Sequence, residues 1–223
     1  MEGTDISQPG ICKMNMDFLP NFAGMIFRDV VSQGDRSGVY LTFDDGPDPD
    51  STPEIIRILN QTKCPATFFV TGYQAEKHPS IVERIHREGN SIGSHGYHHK
   101  SLLFRTANQV LHEIRRTKDV ISKITGESTR LFRPPYGRFG LSHLDVVRNQ
   151  KSKMVLWSLS GLDWKSQESN EIVRRVTKRI KSGDIVLLHD RGQGVRATIS
   201  ALPLVIDGIR SRGFELKKLG GNI

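Results

Sequence analysis

The chain has 223 residues, of which 36% are hydrophobic and 25% charged, and its formal net charge is +8. This composition argues against a disordered chain and predicts one domain with a substantial core. No stretch is long and apolar enough for a transmembrane helix. The basic residues are interleaved with acidic ones along predicted helices, which is typical of solvated helix faces, so we expect no nucleic-acid partner.

The first 38 residues show weak periodicity and several helix breakers, and we predict that they form an N-terminal extension packing on a domain of residues 39–223. The beginning of the chain lacks the basic and then apolar order of a signal peptide. We therefore expect a cytoplasmic protein, or a secreted or periplasmic one if a leader has been removed. Cys12 and Cys64 fit no CxxC pattern, and we expect two reduced thiols.

After residue 38, short apolar runs alternate with helical patterns. Strands are predicted at residues 39–43, 66–70, 91–93, 131–132, 154–159, 185–188 and 214–216. Helices are predicted from residue 52, at residues 79–87, at about residues 110–125, and at residues 170–181 and 198–211. The alternation indicates βαβ units and a mainly parallel sheet, and about seven such units favour a closed or nearly closed α/β barrel resembling a TIM barrel. In such barrels catalytic residues follow the C-terminal ends of strands.

Two adjacent carboxylates, Asp44 and Asp45, follow the first of these strands and precede Gly46 and Pro47. Neighbouring side chains of a strand point to opposite faces unless the chain bends, and Gly46 with Pro47 supplies such a bend. Each carboxylate could then have a different role at one site. The same four residues are equally consistent with a turn that has no chemical role.

Three histidines follow the strand at residues 91–93. His95 and His99 have the spacing of four that lets two imidazoles on a helical turn share one metal ion, whereas His98 offers a competing spacing of three. Two imidazoles and one carboxylate, with one position open to water, form the ligand set of catalytic zinc sites. The pattern predicts a metal site here and leaves His98 in contention with His99.

Two further segments carry candidate catalytic groups. His189 ends an apolar strand, where it could donate a proton to a leaving group or be a structural histidine. Arg133 begins the segment Arg-Pro-Pro-Tyr and could hold a carboxylate ionised and oriented. The backbone N–H of Tyr136 follows two prolines and could bind an oxyanion, although the segment alone reads as a loop.

Together these segments resemble the polysaccharide deacetylases that carry a NodB homology domain, carbohydrate esterase family 4, over about residues 39–219. Five ordered motifs carry the resemblance: TFDDGP at residues 42–47, Ser94-His95 with His99, RPPY at residues 133–136, Asp163-Trp164, and Leu187 with His189. Leu102, in the third place after His99, supports His99 over His98.

The resemblance implies a distorted (β/α) barrel, a divalent metal, most often zinc with cobalt as the alternative, and an N-acetylated sugar as substrate. The implied reaction is hydrolysis of N-linked acetyl groups from amino sugars of a polysaccharide, an oligosaccharide or a glycan precursor. The implied metal ligands are Asp45, His95 and His99. The implied general base is Asp44, which Arg133 orients, and the implied general acid is His189. The resemblance further implies that the N–H of Tyr136 binds the oxyanion and that Trp164, Leu187, Asp163 and Tyr136 bind the substrate.

Two positions depart from the family pattern. Ser160 stands where the fourth motif usually has an aspartate, so we expect an altered pKa or partner for His189, and Gly96 replaces a Ser or Thr. Because Asp44 and His189 are present, we expect an active enzyme rather than a non-catalytic carbohydrate-binding relative. A hydrolase of small non-sugar amides and a DNA-binding protein are further alternatives. We expect the loops at residues 104–108 and 139–143 to select the sugar.

Overall fold

The computed structural model describes residues 29–220, and nine strands within this range form one sheet. All of its strand ladders are parallel. The strands are β1 (Val30–Val31), β2 (Val39–Asp44), β3 (Thr67–Val70), β4 (Ser91–Ser94), β5 (Leu131–Phe132), β6 (Lys153–Val155), β7 (Leu159–Ser160), β8 (Ile185–His189) and β9 (Leu216–Lys217). The predicted α/β class and parallel sheet are confirmed.

Seven α-helices connect these strands within the described residues. They are α1 (Thr52–Gln61), α2 (Gly72–Lys77), α3 (Pro79–Arg87), α4 (Ala107–Thr125), α5 (Ser142–Asn149), α6 (Ser169–Arg179) and α7 (Val195–Ser211). Helix α4 begins with a capping box between Thr106 and Gln109 and ends at Gly126, whose φ of 75° is left-handed. The sequence analysis did not predict α2 and α5, which are too short to show a clear apolar periodicity.

Between β6 and β7 the chain crosses from one side of the sheet to the other. The sheet has the order β1-β6-β5-β4-β3-β2-β8-β7, with β9 beside β2, so that consecutive strands β6 and β7 pair at opposite sides of the sheet. In the segment between them, the N–H of Leu156 donates to the carbonyl of Val31 (2.8 Å) and the N–H of Ser158 to that of Ile185 (3.0 Å). The prediction of one strand at residues 154–159 was therefore wrong, because its two ends pair with different strands. This crossing distorts the barrel.

Alternation along β2 and β8 decides which side chains enter the barrel. Leu41 and Phe43 pack outward in the largest apolar cluster, under the helices, whereas Tyr40 packs in a second cluster with Leu187 of β8. Because strand side chains alternate with period two, Thr42 and Asp44 share the inward face with Tyr40. The parallel register pairs Asp44 with His189 at the C-terminal ends of the two strands. The fold thus brings the predicted base and acid to the same edge of the sheet.

Most of the predicted N-terminal extension, residues 1–28 of 1–38, lies outside the described residues, as does Cys12. The described part contributes β1, which pairs with β6, and the N–H of Gly34 donates to the carbonyl of Gly183 at 2.9 Å. Cys64 is a free, buried thiol, and burial raises its pKa to about 12. Among the described helices, none combines the length and the apolar character needed to cross a membrane.

Candidate active site

A cavity of about 410 Å³ opens at the C-terminal ends of β2, β4, β5 and β8. It lies where parallel barrels place their catalytic groups. The predicted site residues that line it are Asp44, Asp45, His95, His99, Tyr136, Asp163, Trp164, Leu187 and His189. Arg133 lies beneath this lining, fully buried against Asp44. The structure therefore brings all ten predicted residues into one region.

Asp45, His95 and His99 form a cluster whose potential ligand atoms all lie within 4.8 Å of one another. Asp45 Oδ1 is 3.0 Å from His99 Nε2 and 3.4 Å from His95 Nε2. Asp45 and His99 both have left-handed backbones, with φ of 81° and 55°, which turn their side chains toward the cluster. His98 instead contacts Glu113, with 2.7 Å between its Nδ1 and Oε1. The geometry brings His99, and not His98, to Asp45.

The cluster fits a divalent cation. Asp45 Oδ1 is buried and accepts no well-formed hydrogen bond, although two imidazole nitrogens lie close to it. Burial opposes ionisation of Asp45, but His95 and His99 outweigh it and hold the pKa of this carboxyl well below its usual range. His95 Nδ1 donates to the carbonyl of Arg133 at 2.8 Å, which leaves Nε2 free to act as a ligand. Two imidazoles and an ionised carboxylate are a donor set typical of zinc.

Asp44 is oriented by a buried guanidinium. Arg133 Nη1 lies 2.6 Å from Asp44 Oδ1 and also donates to Thr42 Oγ1 at 2.8 Å. The remaining guanidinium nitrogens donate to the carbonyls of Val155 and Leu156, at 3.3 and 2.9 Å. Because Arg133 occupies Oδ1 and has every nitrogen engaged, Asp44 is held in one orientation, with Oδ2 3.7 Å from His95 Nε2.

His189 is held by Asp163. Its Nδ1 is 2.8 Å from Asp163 Oδ1, and its backbone N–H donates to Asp163 Oδ2 at 2.7 Å. Thr198 Oγ1, in α7, also donates to Oδ2, at 2.8 Å. Burial lowers the pKa of His189, but the Asp163 carboxylate overcomes this effect and raises the pKa to about 9. His189 is therefore protonated at neutral pH.

The contact between His189 and Asp163 also explains why Ser160 can replace an aspartate. Its hydroxyl accepts from the N–H of Leu162 at 3.1 Å and is fully buried. Asp163, which was predicted as a substrate-binding residue, supplies the carboxylate partner of His189 while it also lines the cavity. His189 therefore has a carboxylate partner although position 160 is a serine, whereas the sequence had suggested that this serine alters the partner of His189.

The other predicted residues form the walls. Tyr136 lies in a 3₁₀ turn (Pro135–Gly137) with φ of 61°, and its ring is 4.7 Å from that of His99. The ring of Trp164 packs edge-on against His189, with 5.5 Å between centroids, and Leu187 lies on the inward face of β8. These side chains form an apolar wall of the cavity beside its polar groups.

Sequence analysis missed several residues of the site. Trp157, Arg138 and Arg191 also line the cavity. Arg138 and Arg191 each stand two residues after a predicted site residue, which was the available signal. Asp190 was missed as well: it is buried, and its carboxylate accepts from the N–H of Gly46 at 2.9 Å and from Thr52 Oγ1 at 2.6 Å.

Comparison with known proteins identifies the family. The family model described as polysaccharide deacetylase matches residues 32–155, more than half of the chain. The chain belongs to the polysaccharide deacetylase family. The predicted family is confirmed. The predicted class of enzyme, a hydrolase that removes N-linked acetyl groups from amino sugars, is confirmed as well.

Relatives within the polysaccharide deacetylase family cover most of the chain. A peptidoglycan-N-acetylglucosamine deacetylase of Bacillus cereus is 34% identical over 185 residues, which cover 82% of this chain and 67% of the relative. A chitooligosaccharide deacetylase of Azorhizobium caulinodans is 33% identical over 197 residues, which cover 82% and 93%. The crystal structure of the Bc1960 peptidoglycan N-acetylglucosamine deacetylase superposes with a TM-score of 0.85 at 31% identity, covering 89% of this chain and 94% of that chain.

Proposed function

We propose that this polysaccharide deacetylase is a zinc enzyme that hydrolyses the acetamide of an N-acetylated sugar within a glycan, with cobalt as an alternative metal. One observation carries the proposal. The Asp44–Arg133 pair, the His189–Asp163 pair and the cluster of Asp45 with two histidines open into the same cavity. A nucleophile-activating base, a proton donor and a cation site are the groups that amide hydrolysis requires.

Asp45, His95 and His99 would hold the metal, which when bound supplies Lewis acidity toward a carbonyl oxygen and lowers the pKa of water. Asp44 takes a proton from the attacking water, and Arg133 fixes the orientation of its carboxylate for this step.

The water oxygen adds to the acetamide carbon, and the backbone N–H of Tyr136, a residue that lines the cavity, stabilises the resulting oxyanion. His189 donates its proton to the nitrogen as the carbon–nitrogen bond breaks. The products are acetate and the free amine of the sugar. Trp164 and Leu187 provide the apolar wall for the acetyl methyl group.

Relatives act on peptidoglycan N-acetylglucosamine and on chitooligosaccharides, and we extend both as candidate substrates to this chain. Two sequence-based predictions stay proposals: a domain boundary after residue 38, and a location that is cytoplasmic, or secreted or periplasmic if a leader has been removed.

The test is acetate release from N-acetylglucosamine oligomers, peptidoglycan and lipid-linked amino sugars, with zinc or cobalt supplied. We expect release by the wild type and a loss of about 100-fold or more in Asp44→Asn, which removes the base. Zinc binding by Asp44→Asn, measured in parallel, should persist because Asp44 is not in the ligand cluster. Oligomer binding without release would instead support the carbohydrate-binding alternative. If the metal-bound protein released acetate from none of these substrates, the proposal would be overturned.

A further inference from the structure

The negative charges of the cavity already face positive or protonatable partners. The carboxylates that line it are Asp44, Asp45 and Asp163. Asp44 faces Arg133, and Asp163 faces His189. Asp45 lies within the proposed cation site. None of these carboxylates is therefore left to neutralise further positive charge at the opening of the cavity.

Two arginines that line the same cavity lack a close carboxylate partner among the described residues. Arg138 is exposed and follows the 3₁₀ turn after β5, whereas Arg191 follows β8, so they approach from different loops. Within residues 29–220 Arg138 forms no ion pair. Arg191 has a single loose ion pair in that range, with 3.8 Å between its Nε and Asp48 Oδ2, and its side chain is 46% exposed.

The loop that carries Arg191 leads into a helix N-terminus, which adds positive charge to the lining of the cavity. Gly192, Gly194 and Val195 line the cavity where α7 begins. The first turn of a helix carries a partial positive charge from its unpaired N–H groups. The lining of the cavity thus includes two arginines and a helix N-terminus.

Resting on the deacetylase function proposed above, we infer that the substrate is an acidic glycan and that Arg138 and Arg191 bind an anionic group close to the acetamide. Guanidinium groups match the planar, forked geometry of carboxylates and phosphates, and they bind both by two parallel hydrogen bonds. The group could be a carboxylate on the sugar itself or a phosphate at its reducing end. A neutral sugar polymer would leave Arg138 without an anionic partner and Arg191 with only its loose contact to Asp48.

The experiment compares three substrates on the zinc-loaded full chain. They are a neutral N-acetylglucosamine tetramer, a tetramer that alternates N-acetylglucosamine with carboxylate-bearing N-acetylmuramic acid, and N-acetylglucosamine 1-phosphate. The readout is the ratio of kcat/KM for each anionic substrate to that for the neutral tetramer. We expect the wild type to prefer one anionic substrate, and its identity distinguishes a carboxylate from a phosphate as the group bound.

In the Arg138→Ala/Arg191→Ala double variant we expect this ratio to fall about tenfold, mainly through KM, since two partly exposed charged contacts are lost. The Arg138→Lys/Arg191→Lys variant should retain part of the preference because it keeps the charge. Arg87→Ala is the matched control, because Arg87 is an exposed arginine at the end of α3, just before the N-terminal end of β4 and away from the cavity. Its ratio should stay that of the wild type.

Raising the salt concentration should weaken the preference of the wild type, since the contacts lie near solvent. Equal kcat/KM for all three substrates, or a ratio that the double variant leaves unchanged, would overturn the inference while acetate release from the neutral tetramer upheld the deacetylase function. Absence of acetate from every substrate would instead contradict the proposed function itself.

Discussion

Arg133 and Asp44 form an ion pair that is almost entirely shielded from water, with 0% and 4% of their side chains exposed. Moving both charges out of water is costly, so the pair is kept by its geometry and by the extra hydrogen bonds of the guanidinium. The guanidinium also packs 4.0 Å over the ring of Phe69. We infer that this pair fixes the orientation of the proposed base.

Replacing Arg133 alone should be more harmful than replacing both partners. We expect Arg133→Met to destabilise the protein by about 3–5 kcal/mol, because it leaves a buried carboxylate without compensation. Adding Asp44→Asn should recover part of this loss. Urea unfolding of the metal-free proteins measures the effect, and a double variant no more stable than Arg133→Met would contradict the explanation.

The pairing of His189 with Asp163 predicts a specific pH dependence. His189 donates its proton only below its pKa, which Asp163 raises to about 9 against the effect of burial, so activity should fall as the pH rises through that value. In Asp163→Asn the strongest effect that raises the pKa of His189 is lost, and only Asp45 and Asp44 still oppose burial. The pKa of His189 should therefore fall, and the alkaline limb of the kcat profile should move to lower pH. Ser160→Ala is the control, because Ser160 Oγ contacts the N–H of Leu162. An unmoved limb in Asp163→Asn would refute the assignment of Asp163.

The loops after β2 and β8 are joined by Asp190. Its carboxylate accepts from the N–H of Gly46 and from Thr52, and its carbonyl accepts from Ser51 Oγ at 2.6 Å. A Cβ at position 46 would lie 2.1 Å from Asp190 Oδ2, so the close approach requires glycine there. The contact between Asp190 and Gly46 supports the left-handed conformation of Asp45. It thereby links β8, which carries the proposed acid His189, to the proposed metal ligand Asp45.

Loss of this link should be visible in metal binding. We expect Asp190→Ala to weaken zinc binding by about tenfold or more, the size observed when groups supporting metal ligands are removed. Asp190→Asn retains an acceptor for the N–H of Gly46 and should recover part of the affinity. Competition with a fluorescent zinc indicator measures this on protein whose far-UV spectrum shows an intact fold. Equal affinities for the wild type and Asp190→Ala would show that the link is not needed.

Across the barrel, the metal cluster connects the loops that follow β2 and β4, which lie on either side of β3. A ligand that binds only the folded protein stabilises it, by about 2.7 kcal/mol when its free concentration is a hundred times Kd. Bound metal should therefore raise the thermal stability of the whole domain.

We expect chelation to lower the Tm of the wild type and added zinc to restore it. His99→Ala should lose most of this response, whereas His98→Ala should keep it, because His98 is engaged by Glu113. Differential scanning calorimetry with and without zinc provides the measurement. The reverse pattern, with the response lost in His98→Ala, would assign the ligand to His98.

Local patterns carried much of the prediction. Strand and helix periodicities depend on neighbouring residues, so the alternating elements, and from them a parallel α/β barrel, could be read along the chain. The motifs around Asp44, His95, Arg133 and His189 could likewise be recognised as short ordered segments. Short helices such as α2 and α5 carried too little periodicity to be found.

Other features depend on contacts between segments far apart in the chain. The pairing of β2 with β8 sets Asp44 beside His189, and Glu113 turns His98 away from Asp45. Asp163 became the partner of His189, and Asp190 met Gly46 across 144 positions. Spacing along the sequence cannot show such contacts, because strand register and loop packing arise only when distant segments fold together. Residue types and their order therefore established the chemistry that is available, while folding established which groups stand within reach of one another.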